Sequence, residues 1–248
     1  MFVWIASYPK SGNTLTRSLL ASYFFSNDGI FHFKLLDNIL QFPIKNLFLK
    51  HGVNVSDEKE VIKNYIKIQN LINEKNSIQF LKTHSYLFNI ENNPFTNLNN
   101  SLGVIYLVRD PRNIIISSAN HNSSTYRNSV DNMISGKPLR NNKDDIWTYA
   151  GTWSGNYNSW KSFKSLDKYL LIKYEDLIND KEKKIKELIN FCELEWDEKC
   201  LNHHKNANPI KTLSINQANK PIYKTSINSS KMYENKLSKL FSKLDKLN

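Results

Sequence analysis

Three clusters of polar residues have the types and spacing needed to handle an anion. The first is Ser7-Tyr8-Pro9-Lys10-Ser11-Gly12-Asn13-Thr14. A turn of this kind between a strand and a helix aims backbone N–H groups and a helix N-terminus at one spot, which suits a cluster of anionic oxygens. Gly12 permits close backbone approach, Ser11 and Thr14 supply hydroxyls, and Lys10 supplies a positive charge. The turn is not a Walker A loop, because Lys10 precedes the only glycine instead of following the last one. The second cluster, Val108-Arg109-Asp110-Pro111-Arg112-Asn113, is followed by Ser117 and Ser118. Arginine recognises phosphate in a planar, two-pronged way that lysine does not, and Ser117 lies eight residues after Arg109. The third is Leu81-Lys82-Thr83-His84, where a histidine suited to accepting a proton near neutral pH follows a cation that can stabilise developing negative charge. Taken singly, each has a plain alternative: an ordinary turn, a surface Arg–Asp pair, a surface histidine.

The elements that must position these clusters are short apolar runs rich in β-branched and aromatic residues. Phe2–Ser7, Ile78–Lys82, Gly103–Val108 and Tyr169–Lys173 read as buried strands. Amphipathic or helix-compatible stretches follow at Asn13–Phe25, at Asn113–Asn120 with a proline at its opening, and at Lys181–Phe191. Strands separated by helices imply a single α/β domain over residues 1–248, with a P-loop-like central parallel sheet flanked by helices. In such sheets ligands sit beyond the carboxyl ends of the strands, and all three clusters follow such an end. Asn89–Asn100 reads as a solvated connection and Ser123–Asp145 as a long surface loop or lid. Ser229–Leu247 places Met232, Leu237, Leu240, Phe241 and Leu244 at helical spacing, the pattern of a surface helix packed on the core.

Composition narrows the function classes. With 248 residues and 40% hydrophobic content the chain can build a full core. Its formal charge of +11 points to an anionic partner, yet only five of the 34 basic residues are arginine and the lysines are scattered. Scattered lysine without a recognition motif argues against a nucleic-acid binder. No run of about 18 apolar residues is present, so no membrane span is expected. The start of the chain lacks a basic leader, and the two cysteines, Cys192 and Cys200, read as free cytosolic thiols, which together imply a cytoplasmic protein. With His203 and His204 they make too few ligands to suggest zinc.

The combination YPKSGNT, LKTH, LVRDPRN with Ser117, and IKYEDL resembles, in order and spacing, the motifs of sulfotransferases that use 3′-phosphoadenosine-5′-phosphosulfate (PAPS). WIASYPKSGNT, FLKTH, IYLVRDPRN, TWSGNYNSW and KPIYKTSIN are most similar to the bacterial branch. The resemblance runs from Phe2 to about Tyr233. It implies that Lys10, Ser11, Gly12, Asn13 and Thr14 hold the 5′-phosphosulfate and that Arg109 and Ser117 hold the 3′-phosphate. Tyr174 and Thr212 match residues near the adenine, Lys220 a further anion ligand, His84 the catalytic base and Lys82 a transition-state stabiliser, with Lys10 assisting the leaving phosphate. The co-substrate would leave as adenosine 3′,5′-bisphosphate, no metal is implied, and the acceptor would be a small molecule or carbohydrate bearing a hydroxyl or amine. Departures from the family pattern are Leu15 and Ser230, each where a tryptophan is common. The competing reading is a nucleotide-dependent, kinase-like phosphotransferase; the absent Walker lysine and the arginine-based second phosphate site argue against it.

Overall fold

The structure is a computed structural model that describes residues 1–74, 77–140, 142–202, 227 and 229–244. A central parallel sheet is flanked by helices, as the alternation of apolar runs and amphipathic stretches implies. In chain order the elements are β1 (Phe2–Ser7), α1 (Asn13–Phe25), β2 (Leu40–Gln41), α2 (Lys45–Lys50), α3 (Glu58–Lys63), α4 (Tyr65–Asn73), β3 (Gln79–Thr83), β4 (Asn89–Ile90), β5 (Asn93–Pro94) and β6 (Ser101–Val108). They continue with α5 (Pro111–His121), α6 (Tyr126–Ser135), α7 (Trp153–Trp160), β7 (Tyr169–Lys173), α8 (Tyr174–Asn179), α9 (Lys181–Phe191) and α10 (Glu234–Phe241). The sheet order is β2-β3-β1-β6-β7, with β4 and β5 forming a separate antiparallel pair. All six residues of β1 are buried without alternation, the pattern of a strand covered on both faces. Its register against β3 sets Trp4 opposite Leu81 and Ala6 opposite Thr83.

The chain divides into two compact units. The first comprises Met1–Tyr8, Leu40–Tyr106 and Asn132–Tyr169. Its core is an aromatic cluster around Trp4, whose ring centroid lies 5.2 Å from Phe95, 5.9 Å from Phe42 and 6.0 Å from Trp160. Trp4 is fully buried and its indole N–H donates to Ser101 Oγ at 2.8 Å, so the polar end of the ring is satisfied inside the core. The second unit comprises Pro9–Ile39, Leu107–Asp131 and the described residues after Tyr169. There α1 buries Leu19, Leu20 and Ala21, α9 buries Ile185, Leu188 and Ile189, and α10 buries Leu237 and Phe241.

Two stretches differ from expectation. Asn89–Asn100 is not a solvated connection: it holds the β4–β5 pair and sends Phe95 and Thr96 into the core. Ser123–Asp145 is not all loop, since α6 occupies Tyr126–Ser135 and buries Val130 and Met133. The polar composition of both conceals a few apolar residues whose tertiary burial outweighs local preference. α5 begins two residues earlier than the sequence suggests because Asp110 caps it, accepting from the Arg112 amide, with Pro111 at its opening.

Candidate active site

The turn between β1 and α1 is built on two left-handed residues, Lys10 at φ 67° and Gly12 at φ 99°. A lysine there is uncommon and is maintained by its surroundings. Arg109 Nη1 donates to the Lys10 carbonyl at 2.9 Å, which ties the turn to the end of β6. Gly12 caps α1 and offers no side-chain hydrogen bond to the first amides of the helix. A Cβ on Gly12 would stand 2.5 Å from Cδ2 of Tyr174, so both φ and space demand glycine.

Tyr174 opens α8, directly after β7, and the Arg109 guanidinium carbon sits 4.4 Å from its ring centroid. The next residue, Glu175, accepts from the Asp110 amide at 3.0 Å and so fixes the turn after β6 to α8. Asp110 itself faces Arg112 at 3.3 Å. Lys10 and Arg109 therefore form a close pair of cations. Burial, and secondarily Arg109, push the Lys10 ammonium below its ordinary pKa of 10.5. Ser11 is 1% exposed and its hydroxyl is buried without a hydrogen-bond partner among the described residues. A pair of neighbouring cations, a buried hydroxyl with no described partner and a helix start with no side-chain cap are the kind of donor set that a phosphate oxyanion fits.

The first unit carries the other candidates. His84 follows β3, and its Nδ1 lies 2.9 Å from Ser7 O and 3.1 Å from Ser7 Oγ. A carbonyl can only accept, so Nδ1 carries the proton and the lone pair lies on Nε2. Lys82 Nζ donates to Gln41 Oε1 at 2.7 Å.

Of the residues singled out in the sequence, Lys10, Gly12, Arg109 and Tyr174 are brought into contact. Ser11 and Asn13 are buried beside them in sequence, Thr14 is half-buried in the first turn of α1, and Ser117 is half-buried on α5. Thr212 and Lys220 lie outside the described residues. Three contributors were not singled out for a role: Ser7, which sets the histidine tautomer; Glu175, which holds Asp110; and Asn113. Asn113 is 1% exposed, donates to Ile227 O at 3.0 Å and accepts from Ser229 Oγ and the Ser230 amide. It lies one turn after Arg109 on the face that also carries Ser117, a helical spacing that was available as a signal. Trp160 is fully buried as expected, whereas Trp153 is half-buried and stacks on Tyr157 with centroids 6.2 Å apart.

Among the described residues no helix is long and apolar enough to cross a membrane. The sulfotransferase domain family matches residues 2–243. An uncharacterised protein of Aquifex aeolicus is 41% identical over 61 residues, 25% of this chain and 8% of that protein. Sulfotransferase 2A6 of Rattus norvegicus is 31% identical over 107 residues, 38% of this chain and 34% of that protein. The matched segments thus span about a third or less of these two curated relatives. Among solved structures, retinol dehydratase in complex with androsterone and the inactive cofactor PAP is similar in fold at a TM-score of 0.60. That match has 15% identity and covers 99% of this chain and 79% of that one.

Proposed function

Because the chain belongs to the sulfotransferase domain family, we propose that it moves a sulfuryl group from PAPS to a hydroxyl or amine acceptor by in-line displacement, with His84 as base. The observation that carries this reading is the contact group of Lys10, Gly12, Arg109 and Tyr174, with the unsatisfied Ser11 hydroxyl beside it in sequence. An anion there would meet two neighbouring cations and the Ser11 hydroxyl. PAPS brings two separated phosphate groups, one for the turn after β1 and one for Arg109 with Ser117.

Sulfuryl transfer, like phosphoryl transfer, is dominated by positioning and by electrostatic stabilisation of charge spread over the leaving and equatorial oxygens. His84 Nε2 takes the proton from the acceptor as its oxygen or nitrogen bonds to sulfur. Ser7 O holds the ring by its Nδ1–H and stabilises the imidazolium that results. Lys10 and the amides opening α1 meet the charge that collects on the departing phosphate. Lys82, whose ammonium donates to Gln41 Oε1, is assigned to the sulfuryl oxygens. Tyr174 borders the adenine, and the 3′-phosphate held by Arg109 supplies binding energy remote from the reacting bond. Androsterone in the retinol dehydratase complex supports a small-molecule acceptor.

The test is incubation with sulfur-labelled PAPS and a panel of alcohols, sterols, amines and sugars. Label is expected in one acceptor class, and His84→Ala is expected to lower turnover at least about tenfold. No transfer to any acceptor, or an unimpaired His84→Ala enzyme, would overturn the reading or the base assignment respectively.

A further inference from the structure

The segment 84–87 leaves the sheet after Thr83, so its backbone needs partners other than a neighbouring strand. The Ser85 amide donates to Thr83 Oγ1 at 3.0 Å and the Tyr86 amide to Tyr149 O at 2.8 Å. Three further bonds come from side chains of α7. Asn156 Nδ2 donates to His84 O at 2.9 Å, Trp160 Nε1 donates to Ser85 O at 3.0 Å, and Ser159 Oγ accepts from the Leu87 amide at 2.9 Å. Positions 156, 159 and 160 are spaced i, i+3, i+4, so one face of a single helix presents all three.

Asn156 is fully buried and its amide is fully used. Its second N–H donates to Ala150 O at 2.7 Å, and its Oδ1 accepts from the Tyr106 hydroxyl at 2.7 Å. We infer that Asn156 is a positioning residue for His84, and that α7 sets the register of the whole segment through Asn156, Ser159 and Trp160. The motif TWSGNYNSW then does more than supply Trp160 to the core: Asn156 holds the base from the backbone side while Ser7 holds its ring. Displacements well under the length of a hydrogen bond lower the rate of such reactions, which gives this precision a use. The inference rests on His84 being the base.

The test uses two variants in the full chain. Asn156→Asp keeps the volume and the Tyr106 bond but sets a carboxylate oxygen against two carbonyls. Ser159→Ala removes only the partner of the Leu87 amide and its bond to Asn156 O. Folded Asn156→Asp protein is expected to lose at least tenfold in kcat with the KM for PAPS within twofold of wild type. Ser159→Ala is expected to lose about threefold in kcat, and Ser159→Thr to restore it. Amide hydrogen exchange at Leu87 should quicken at least tenfold in Ser159→Ala while Tyr86, bonded to Tyr149, keeps its protection. Wild-type kcat in both variants, or unchanged Leu87 exchange, overturns the inference. A wild-type protein that transfers no sulfuryl group refutes the functional reading instead, and the exchange measurement still decides whether α7 holds the segment.

Discussion

Replacing Gly12 by alanine tests the geometry of the turn in one step. Two costs combine. An L-residue at a left-handed φ costs about 1–2 kcal/mol, and φ here is 99°. The new Cβ would stand 2.5 Å from Tyr174 Cδ2, an overpacking cost of about 1–3 kcal/mol. Together Gly12→Ala should destabilise the fold by about 2–5 kcal/mol, or roughly 4–20 °C in Tm for a chain of this size. The two costs separate in a double-mutant cycle. In a Tyr174→Ala background the clash is gone and only the backbone cost of about 1–2 kcal/mol remains. The measured coupling should therefore be about 1–3 kcal/mol, read by urea unfolding of the four proteins. Strict additivity would refute the close approach of Tyr174 to Gly12, and with it the contact group on which the functional reading rests.

Ser11→Ala should leave stability within about 0.5 kcal/mol, because the hydroxyl makes no bond among the described residues, yet weaken adenosine 3′,5′-bisphosphate binding about five- to tenfold by calorimetry. Lys10 has its pKa lowered by burial and by Arg109, so its charge is lost at a lower pH than an ordinary lysine's; bisphosphate affinity should decline on the alkaline side below pH 10.5, and Lys10→Arg should move that decline upward. Stability moves the opposite way: a cation with a depressed pKa is disfavoured in the folded state while charged, so this local penalty is relieved as pH rises past the lowered value. Burial pushes the Cys192 thiol up to about 12, so peptide mapping after iodoacetamide at pH 8 should find it essentially unlabelled in the native protein and labelled in urea.

Most of the sheet was legible because β1, β3, β6 and β7 are apolar runs, with β1 and β6 almost wholly buried. β1, β7, α1 and α9 fall on the residues the pattern implies. Short elements were not: β2 has two residues and no periodicity to detect. α6 spaces Tyr126, Val130 and Met133 along one face, but serine and asparagine around them mimic a loop, and burial of two side chains decides the outcome. At the site, residue types pointed to an anion, whereas their bonding to one another was not legible. The positive φ of Lys10 is imposed within the folded unit, where Arg109 holds its carbonyl from 99 positions away. The engagement of Lys82 by Gln41 joins residues 41 positions apart. Ser7 and Asn156 act through a carbonyl and a buried amide, neither of which stands out by residue type.

The central claim is that two separate phosphate groups of one nucleotide complete the cations after β1 and β6. Calorimetric titration with adenosine 3′,5′-bisphosphate and adenosine 5′-monophosphate tests it without knowledge of the acceptor. The bisphosphate should bind at least about tenfold more tightly, the worth of one charge-assisted contact; Ser117→Ala should narrow that preference while leaving the monophosphate affinity within about twofold, and Arg109→Ala, which also frees the Lys10 carbonyl, should weaken both. Equal affinities in the wild-type protein, or no binding of the bisphosphate, would contradict the account.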